Sequence, residues 1–582
     1  MPTSRSELEP SRCDVAAIER RSSDGLASDA AESVRVTAPP SSGALSSAGC
    51  SSQPRSARAL VRSPPARAVR RGVLLLALFC VALPARVAHL DATGFAEDEV
   101  DKLRAIAAYA RGDFTADPEH PMLMKLAMLA SHQTTGVWNR AAAAFGGPLL
   151  SEEAAIRLPN AVAGALIAVI LFLLVELLFD RWTAVGAALL WAFDVNAIAV
   201  NRIGKEDTLL LLFLLLAAWY YEVGKRVGRT DPVAAQRWFT RCGAAFGLMT
   251  AAKYMPYMYG VHVIFFRAAD PHPGLNRPDK RPFYLAMLTA FLIANAAILL
   301  PANWQALAMY ARESTLTHTG YVFAGRVWMN KFSATPWGVP PWFYLTYLVT
   351  KVPLPVLMAF GSGLAQLVVR RSERGYVFAR VFLVFLVVPY SLVASKFVRY
   401  MLPMFAMVDL VAAVGLVWGL RRCAGLARAL AVPCVAGVSL GVLGSGALAA
   451  IAASPHFSLF QNQVGALLTR NELLFPHDEL YDAGMREAVA YVAVAAPRSA
   501  TVLSEAPAVV RTYLDRFGRA DVVAAALSSG RPPDAGGEIW TLVQDGRRYF
   551  ENEALVAAVR LRPPIHEIFV DGVRAVEIFK GR

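Results

Sequence analysis

A series of apolar runs sets the limits on how this chain folds. The first covers Val73 to Leu90, and nine more follow at 158–179, 183–200, 208–223, 238–266, 283–301, 342–369, 376–395, 400–420 and 427–453. A helix needs roughly 20 apolar residues to cross a bilayer. Hydrophobic residues make up 55% of the chain and charged residues only 18%, far from the balance of soluble domains. The sequence therefore predicts an α-helical polytopic membrane protein.

The basic residues orient these runs. The formal net charge of +13 would indicate nucleic-acid binding in a soluble protein, but here Lys and Arg lie in short tracts between apolar runs, as in cytoplasmic loops. If the run 238–266 breaks near Lys253 to Pro256 into two short helices, every basic tract lies in the cytoplasm. These tracts are 267–281, 370–374 and 421–428. The positive-inside rule thus predicts about eleven transmembrane helices.

Three domains are predicted. Residues 1–70 are rich in Ser, Ala, Pro and Arg without an apolar period, and are expected to be a disordered cytoplasmic segment. Residues 71–453 form the membrane domain, with a first extracytoplasmic loop at 91–156. Residues 454–582 have a soluble texture and are expected outside the membrane.

This C-terminal region predicts a small α/β domain. It offers strands at 501–504 and 538–543, a helix at 507–517, and a terminal hairpin in which Asp571-Gly572 joins two alternating runs, 565–570 and 573–580. The segment 475–485, FPHDELYDAGM, is expected to lie over the catalytic face. The domain either binds an acceptor or is a structural cap.

Charged residues near membrane depth are the candidate functional groups, because their burial is costly. Asp98 and Glu99 follow Glu97 in the stretch 94–126, and either one is a candidate general base for a hydroxyl. The alternative is a solvated acidic loop. Arg157 either holds a phosphate or snorkels to the interface, and Lys253 lies inside an apolar run with no evident structural reason.

Two further groups stay ambiguous on the residues alone. Arg202, Lys205, Glu206 and Asp207 form a charged hinge, which is also explained as a salt-bridged turn. His318 has the features of an ordinary loop histidine. The six cysteines show no C-x-x-C pair, so neither a zinc knuckle nor a disulfide framework is indicated.

Several motifs in a fixed order resemble one family. They are EDEV at 97–100, EHPMLMKL at 119–126, IRLPNAVAG at 156–164, NRIGKEDTLLLLF at 201–213, GLMTAAKY at 247–254, HTGYVFAG at 318–325, FYLTYLVTKVPLPVL at 343–357 and KFVRYMLP at 396–403. This series is similar to that of the protein O-mannosyltransferases and the related aminoarabinose transferases, which are GT-C glycosyltransferases.

The resemblance implies roles for individual residues. Asp98 matches the first-loop base of the family and Glu99 its companion. The other positions in matching motifs are expected to bind substrate, and they are His120, Lys125, Arg157, Arg202, Asp207, Lys253, His318 and Arg399. Met122 and Asp101 depart from the usual second proline and second histidine, which leaves the sugar and the acceptor open.

The resemblance also implies a GT-C fold and an activity. The expected enzyme moves a mannose-like or other sugar from a polyprenyl-phosphate or dolichyl-phosphate carrier to a hydroxyl of a protein, lipid or glycan, with inversion, on the extracytoplasmic face. The expected location is a bacterial inner or plasma membrane. No nucleotide-sugar loop and no metal-ligand cluster beyond the carboxylates and His318 is evident, so no cofactor is assigned and a divalent metal is left open.

Two alternatives remain. A transporter or lipid flippase is also polytopic with intramembrane charges, but such proteins often contain internal repeats, and none is found here. A non-catalytic homologue of the same fold is disfavoured by the presence of both Asp98 and Glu99.

Overall fold

The computed structural model describes residues 65–269, 279–312, 320–330, 338–470, 472–529 and 537–581. His318 and most of the segment 1–70 lie outside these ranges, so the expectations for them stay predictions.

The described part of the chain begins with an apolar helix, and two helices follow in the stretch that was expected to be a loop. Helices α1 Pro65–Ala82 and α2 Pro84–Val87 are followed by α3 Glu97–Ala110 and α4 Met122–Phe145. Three acidic residues in the first turn favour α3, because carboxylates are stabilised at a helix N-terminus. The stretch 91–156, predicted as the first extracytoplasmic loop, is therefore largely helical.

The central part of the chain is a bundle of helices. They are α5 Glu152–Leu178, α6 Arg181–Phe193, α7 Val195–Asn201, α8 Asp207–Val227, α9 Pro232–Ala252, α10 Met258–Ala269, α11 Lys280–Ala294, α12 Pro301–Arg312, α13 Phe343–Lys351, α14 Leu354–Val369, α15 Arg374–Leu392, α16 Leu402–Ala424, α17 Arg428–Ser439 and α18 Ser445–Ala452. A hairpin of strands β1 Gly320–Phe323 and β2 Arg326–Met329 lies between α12 and α13.

Six helical segments within the described ranges are long and apolar enough to cross a membrane: 68–87, 152–178, 207–227, 374–392, 398–424 and 428–452. The pair α6 and α7, bent by 60°, makes a seventh if it is one span. Helices α10 and α14 are apolar but shorter. The polytopic helical fold is thus confirmed, while the total of eleven spans stays a prediction.

Helix α9 ends at Ala252 and α10 begins at Met258, with Lys253 as the C-cap residue of α9. The expected break in the run 238–266 is therefore present. It turns Lys253 out of the helix at the end of the bundle.

Helix α16 lies at the centre of the bundle, and 94% of its apolar window is buried. It approaches α14 through glycines. A β-carbon on Gly363 would lie 1.9 Å from the carbonyl oxygen of Val411, and one on Gly415 would lie 2.0 Å from that of Ala359. Small residues let two helix backbones come this close.

The C-terminal region contains helices α19 Gln463–Thr469, α20 Pro476–Leu480, α21 Met485–Ala495, α22 Pro507–Arg516 and α23 Glu553–Val559. Its strands are β3 Thr501–Ser504, β4 Val523–Ala526, β5 Ile539–Gln544, β6 His566–Val570 and β7 Val573–Lys580. They form one sheet in the order β4-β3-β5-β7-β6, in which β3 is parallel to both of its neighbours and β7 is antiparallel to both of its own. The predicted α/β domain is confirmed.

The predicted terminal hairpin is also present, and the backbone of its turn has the conformation that such a hairpin needs. Asp571 and Gly572 have φ of 48° and 77°, the positive values that a tight hairpin turn requires. The domain has an apolar cluster of its own, which includes Leu503, Val543 and Phe579, and a second cluster that it shares with the membrane domain. Phe95, Val100 and Ile106 around α3 share one apolar cluster with Val576 and Ile578 of β7.

Candidate active site

The first turn of α3 sends its three carboxylates in different directions, because successive helical residues are rotated by about 100°. The side chain of Glu99 is fully buried, that of Glu97 is 24% exposed and that of Asp98 is 33% exposed. Asp98 is therefore the most accessible of the three.

Glu99 is fully hydrogen-bonded inside the protein. Its Oε1 accepts from Nε of Arg157 at 2.8 Å and from the backbone N–H of Gly204 at 2.8 Å. Its Oε2 accepts from Nη2 of Arg157 at 2.6 Å and from the N–H of Ala96 at 3.1 Å. A carboxylate has about four acceptor sites, so none is left for the proton of a substrate. Both oxygens of Glu99 are therefore occupied by protein donors, and its catalytic role stays a prediction.

Arg157 is occupied in the same way. Besides Glu99, it donates to the carbonyl oxygens of Leu90 at 2.7 Å, Thr93 at 2.9 Å and Gly94 at 2.6 Å. These contacts use all five guanidinium N–H groups. Its expected phosphate contact therefore has no free donor here, and Arg157 instead anchors the segment before α3.

Asp98 has an environment suited to a reacting carboxylate. Its Oδ2 lies 2.5 Å from Nζ of Lys205 and accepts a hydrogen bond of 2.9 Å from the hydroxyl of Tyr481. Burial by itself raises the pKa of Asp98, but Lys205 and Arg399 together hold that pKa well below its usual range. Asp98 is therefore ionised and able to accept a proton.

Lys205 and Arg399 lie beside this carboxylate, and Arg399 interacts electrostatically with Lys205 and with Lys253. These three residues are the cationic cluster of the site. Burial lowers the pKa of Lys205 to about 8, although Asp98 opposes that shift. Nζ of Lys253 lies 2.6 Å from Oδ1 of Asp207. Lys253 and Asp207 thus form an ion pair at the end of the bundle.

Arg399 differs from the two lysines. Its guanidinium lies 4.2 Å from the ring centre of Phe397 and 5.6 Å from that of Tyr400. Within the described ranges it makes no ion pair and no hydrogen bond through its side chain. Its donors are therefore available to an anion.

The charged hinge before α8 is a salt-bridged turn that also positions Lys205. Lys102 and Glu206 form an ion pair of 2.9 Å, with both side chains only 1% exposed. Asn160 donates to the carbonyl oxygens of Ile203 and Lys205, each at 2.5 Å. The hinge is therefore a salt-bridged turn, and it also presents the ammonium group of Lys205 to Asp98.

Arg202 is a structural residue in this arrangement. It donates to the carbonyl oxygens of Ala85 at 3.1 Å, Ala88 at 2.5 Å and His89 at 2.6 Å, at the end of α2. Its expected role in substrate binding is not reflected in these contacts.

Lys125 and His120 shape the turn before α4. Nζ of Lys125 donates to the carbonyl oxygen of His120 at 2.9 Å and of Ala116 at 3.3 Å. His120 Nδ1 lies 3.0 Å from Oδ1 of Asp117. The buried Lys125 therefore stabilises the turn through these carbonyl groups, while the side chain of His120 is 25% exposed.

Asp117, Glu119 and His120 each offer a ligand atom within 4.8 Å of the others. Carboxylate and imidazole ligands suit several divalent metals. Asp117 is already in contact with His120 and, at 3.6 Å, with Lys125, so a metal would compete with a lysine. The group is compatible with a metal without requiring one.

A cavity of about 60 Å³ lies beside the site. Its lining includes Arg157, Arg202 and His456, together with Asp478 and Tyr481 from the segment 475–485. This segment was expected to lie over the catalytic face, and the hydroxyl of Tyr481 brings it into contact with Asp98.

Lys205 and Tyr481 are site residues that sequence reasoning did not select. Lys205 belonged to the charged hinge, so its charge was a usable signal. Tyr481 is 383 positions from Asp98, and no local pattern marks such a contact.

Comparison with known proteins gives a match to part of the chain. Residues 143–299 match the family model described as dolichyl-phosphate-mannose-protein mannosyltransferase. A relative, Protein O-mannosyl-transferase 1 of Danio rerio, is 28% identical over 204 residues, which are 34% of this chain and 28% of the relative. The chain thus matches little more than a quarter of that protein.

The fold match is more extensive. The crystal structure of ArnT from Cupriavidus metallidurans bound to undecaprenyl phosphate superposes with a TM-score of 0.50 and 14% identity, covering 89% of this chain and 98% of that one. Together with the segment match, this confirms the GT-C fold and the resemblance to the protein O-mannosyltransferase and aminoarabinose transferase type.

Proposed function

We propose that this protein is a membrane glycosyltransferase that moves a sugar from a polyprenyl-phosphate carrier to a hydroxyl acceptor. The observation that carries the proposal is the position of Asp98, a partly exposed carboxylate beside Lys205 and Arg399 at the end of a helical bundle. The family match over residues 143–299 supports it, as does the fold shared with a protein that binds undecaprenyl phosphate.

The cations suit the phosphate of such a donor. A polyprenyl chain stays in the bilayer while its phosphate lies at the interface, where Arg399, Lys205 and Lys253 neutralise the charge that develops on the leaving group. Among the described residues Arg399 makes no ion pair that would have to break, so it is the first contact. Lys205 and Lys253 would each leave a carboxylate, Asp98 or Asp207, to contact the phosphate.

Asp98 then serves as the general base. It takes the proton of the acceptor hydroxyl while the oxygen attacks the anomeric carbon. The bond between that carbon and the phosphate oxygen breaks, and the carrier phosphate leaves with the electron pair. A single displacement of this kind inverts the anomeric carbon. A divalent metal at Asp117, Glu119 and His120 would add positive charge nearby.

Sidedness follows from the basic tracts. Arg370, Arg371 and Arg421 lie at the opposite ends of their helices from Lys396 and Arg399, and the positive-inside rule assigns such tracts to the cytoplasm. We therefore place the site on the extracytoplasmic face of a bacterial inner or plasma membrane. The region 454–582 lies over that face, where it meets a protein, lipid or glycan acceptor.

The test is transfer by the purified protein in lipid nanodiscs, supplied with a panel of radiolabelled polyprenyl-phosphate sugars and hydroxyl acceptors. We expect release of free polyprenyl phosphate with one donor, and none with Asp98→Asn. Movement of the intact donor across a sealed vesicle, without release of its sugar, would instead identify a flippase.

A further inference from the structure

The N-terminus of α3 is capped by a residue from a distant part of the chain. The residue before the helix is Ala96, whose side chain has no acceptor. The first N–H groups of a helix have no partner within the helix. The N–H of Glu97 donates to Oδ2 of Asp482 at 3.0 Å, and Asp482 lies in the segment over the active site.

Asp482 is fixed in turn by the C-terminal domain. Arg547, just after β5, donates from Nε to Oδ1 of Asp482 at 2.8 Å and from Nη2 to Oδ2 at 2.6 Å. Gln544 donates to the same Oδ1 at 2.8 Å. A bidentate contact of this type fixes orientation as well as distance. The side chains of Asp482 and Arg547 are only 1% and 7% exposed.

Arg547 also reaches α3 directly. Its Nη1 forms an ion pair with Oε2 of Glu97, the residue before Asp98. One guanidinium thus holds both the carboxylate that caps the helix and a carboxylate of the helix itself.

The backbone at the cap has an uncommon conformation. Tyr481 and Asp482 have φ of 45° and 62°, and two consecutive non-glycine residues seldom adopt positive φ. This turn directs Tyr481 to the carboxylate of Asp98 and Asp482 to the backbone of Glu97. Neighbouring residues of one turn therefore hold neighbouring residues of the helix.

We infer that Arg547 is a positioning residue for catalysis, which holds the first turn of α3 and thereby Asp98 at Lys205 and Tyr481. The inference rests on the proposed function, and it gives the C-terminal domain a part in the reaction. Without the guanidinium, Glu97 and Asp482 lose the cation that they share, and the two carboxylates repel each other more strongly. The hydrogen bonds of Arg547 in the described part of the chain go to Asp482, Glu97 and Tyr549 and not to the cationic cluster, so we expect donor binding to be retained.

The test compares four variants in the nanodisc transfer assay. For Arg547→Met we expect kcat to fall about 10- to 100-fold with little change in donor KM, because small misplacements of a catalytic group have effects of that size. Arg547→Lys keeps the charge and should recover part of kcat. Glu97→Gln leaves the contact of Arg547 with Asp482 in place and should lose less. Arg560→Met is the matched control, since it breaks ion pairs with Asp545 and Glu577 in the same domain without touching α3.

Hydrogen exchange gives a readout that does not need turnover. The amides of residues 97–101 should exchange faster in Arg547→Met than in the wild type or in Arg560→Met. Unchanged exchange there, or a kcat loss no larger than that of the control, would overturn the inference. If Arg547→Met fails to fold, Arg547→Lys and Glu97→Gln carry the same comparison.

The two proposals fail in different ways. If the wild-type protein transfers no sugar from any donor, the proposed function is wrong. The exchange comparison still decides whether Arg547 holds α3. If the wild type transfers sugar normally and Arg547→Met has the same kcat, only the positioning role is ruled out.

Discussion

Tyr481 and Lys205 both contact one oxygen of Asp98. The hydroxyl of Tyr481 donates to Oδ2 at 2.9 Å, and Nζ of Lys205 lies 2.5 Å from the same atom. Within the described part of the chain, nothing hydrogen-bonds to Oδ1. Since the side chain is 33% exposed, Oδ1 is the atom available to an incoming hydroxyl.

Replacing Asp98 by Asn should abolish most transfer. The amide keeps the shape of the side chain but does not accept the proton, and general-base catalysis is typically worth about 10²- to 10⁴-fold. We expect kcat to fall by that factor while donor binding persists. Asp101→Asn is the control, because Asp101 lies on the same helix with a half-exposed side chain paired to Arg104. Equal turnover of the two variants would remove Asp98 from the mechanism.

Glu99→Gln and Arg157→Met should lower stability rather than weaken donor binding. Removing one member of a buried ion pair costs about 3 to 5 kcal/mol, and these side chains are 0% and 4% exposed. The thermal midpoint of each variant should fall well below that of Arg421→Met, which removes an exposed pair with Asp180. A raised donor KM with unchanged thermal stability would restore the phosphate-binding role of Arg157.

Arg399→Gln should show the opposite pattern. Arg399 has no direct ion pair among the described residues, so its loss breaks no such pair there. We expect a donor KM at least about 10-fold higher with a nearly unchanged thermal midpoint. Lys253→Met should raise donor KM and also lower stability, because Asp207 loses its partner. If both variants have wild-type kinetics, the cationic cluster does not bind the donor phosphate.

The pH dependence of transfer should report on Lys205. Its pKa of about 8, lowered by burial, means that its charge is present below that pH and is lost above it. The value of kcat/KM should therefore decline as the pH rises through about 8, and Lys205→Arg should abolish the decline because arginine stays charged.

The acidic side of the same profile reports on Asp98. Its pKa is held well below the usual range by Lys205 and Arg399, against the effect of burial, so the base stays ionised as the pH falls from 8 to 5. Lys205→Met removes a cation, which raises the pKa of Asp98 and should move the acidic limb to higher pH. An unmoved limb would mean that Lys205 does not control this carboxylate.

The sidedness of the bundle can be tested by cysteine labelling. Single cysteines at Ser454 and Asp571 in a cysteine-free background should react with an impermeant maleimide outside intact cells, whereas one at Ser372 should not. All three positions are exposed. Reaction at Ser372 would reverse the proposed orientation.

Elements fixed by local patterns were predictable from the sequence. Strand β3 and the turn at Asp571-Gly572 follow from alternation and turn chemistry, and the break at Lys253 follows from the charge of the loops. The partners of the carboxylates were not predictable. Glu99 and Asp98 are equivalent in an acidic triplet, and only the helix rotation that buries one against Arg157 separates their roles.

The shared apolar cluster of α3 and β7 has a consequence for synthesis of the protein. Glu97 and Arg547 are 450 residues apart, and ribosomes add about 5 to 20 residues per second. For about 20 to 90 seconds, therefore, Phe95, Val100 and Ile106 have left the ribosome before the strands that cover them exist. During that interval these side chains have only the N-terminal members of the cluster, such as Met124 and Ile156, to pack against, so the cluster is completed only when the last strands have been synthesised.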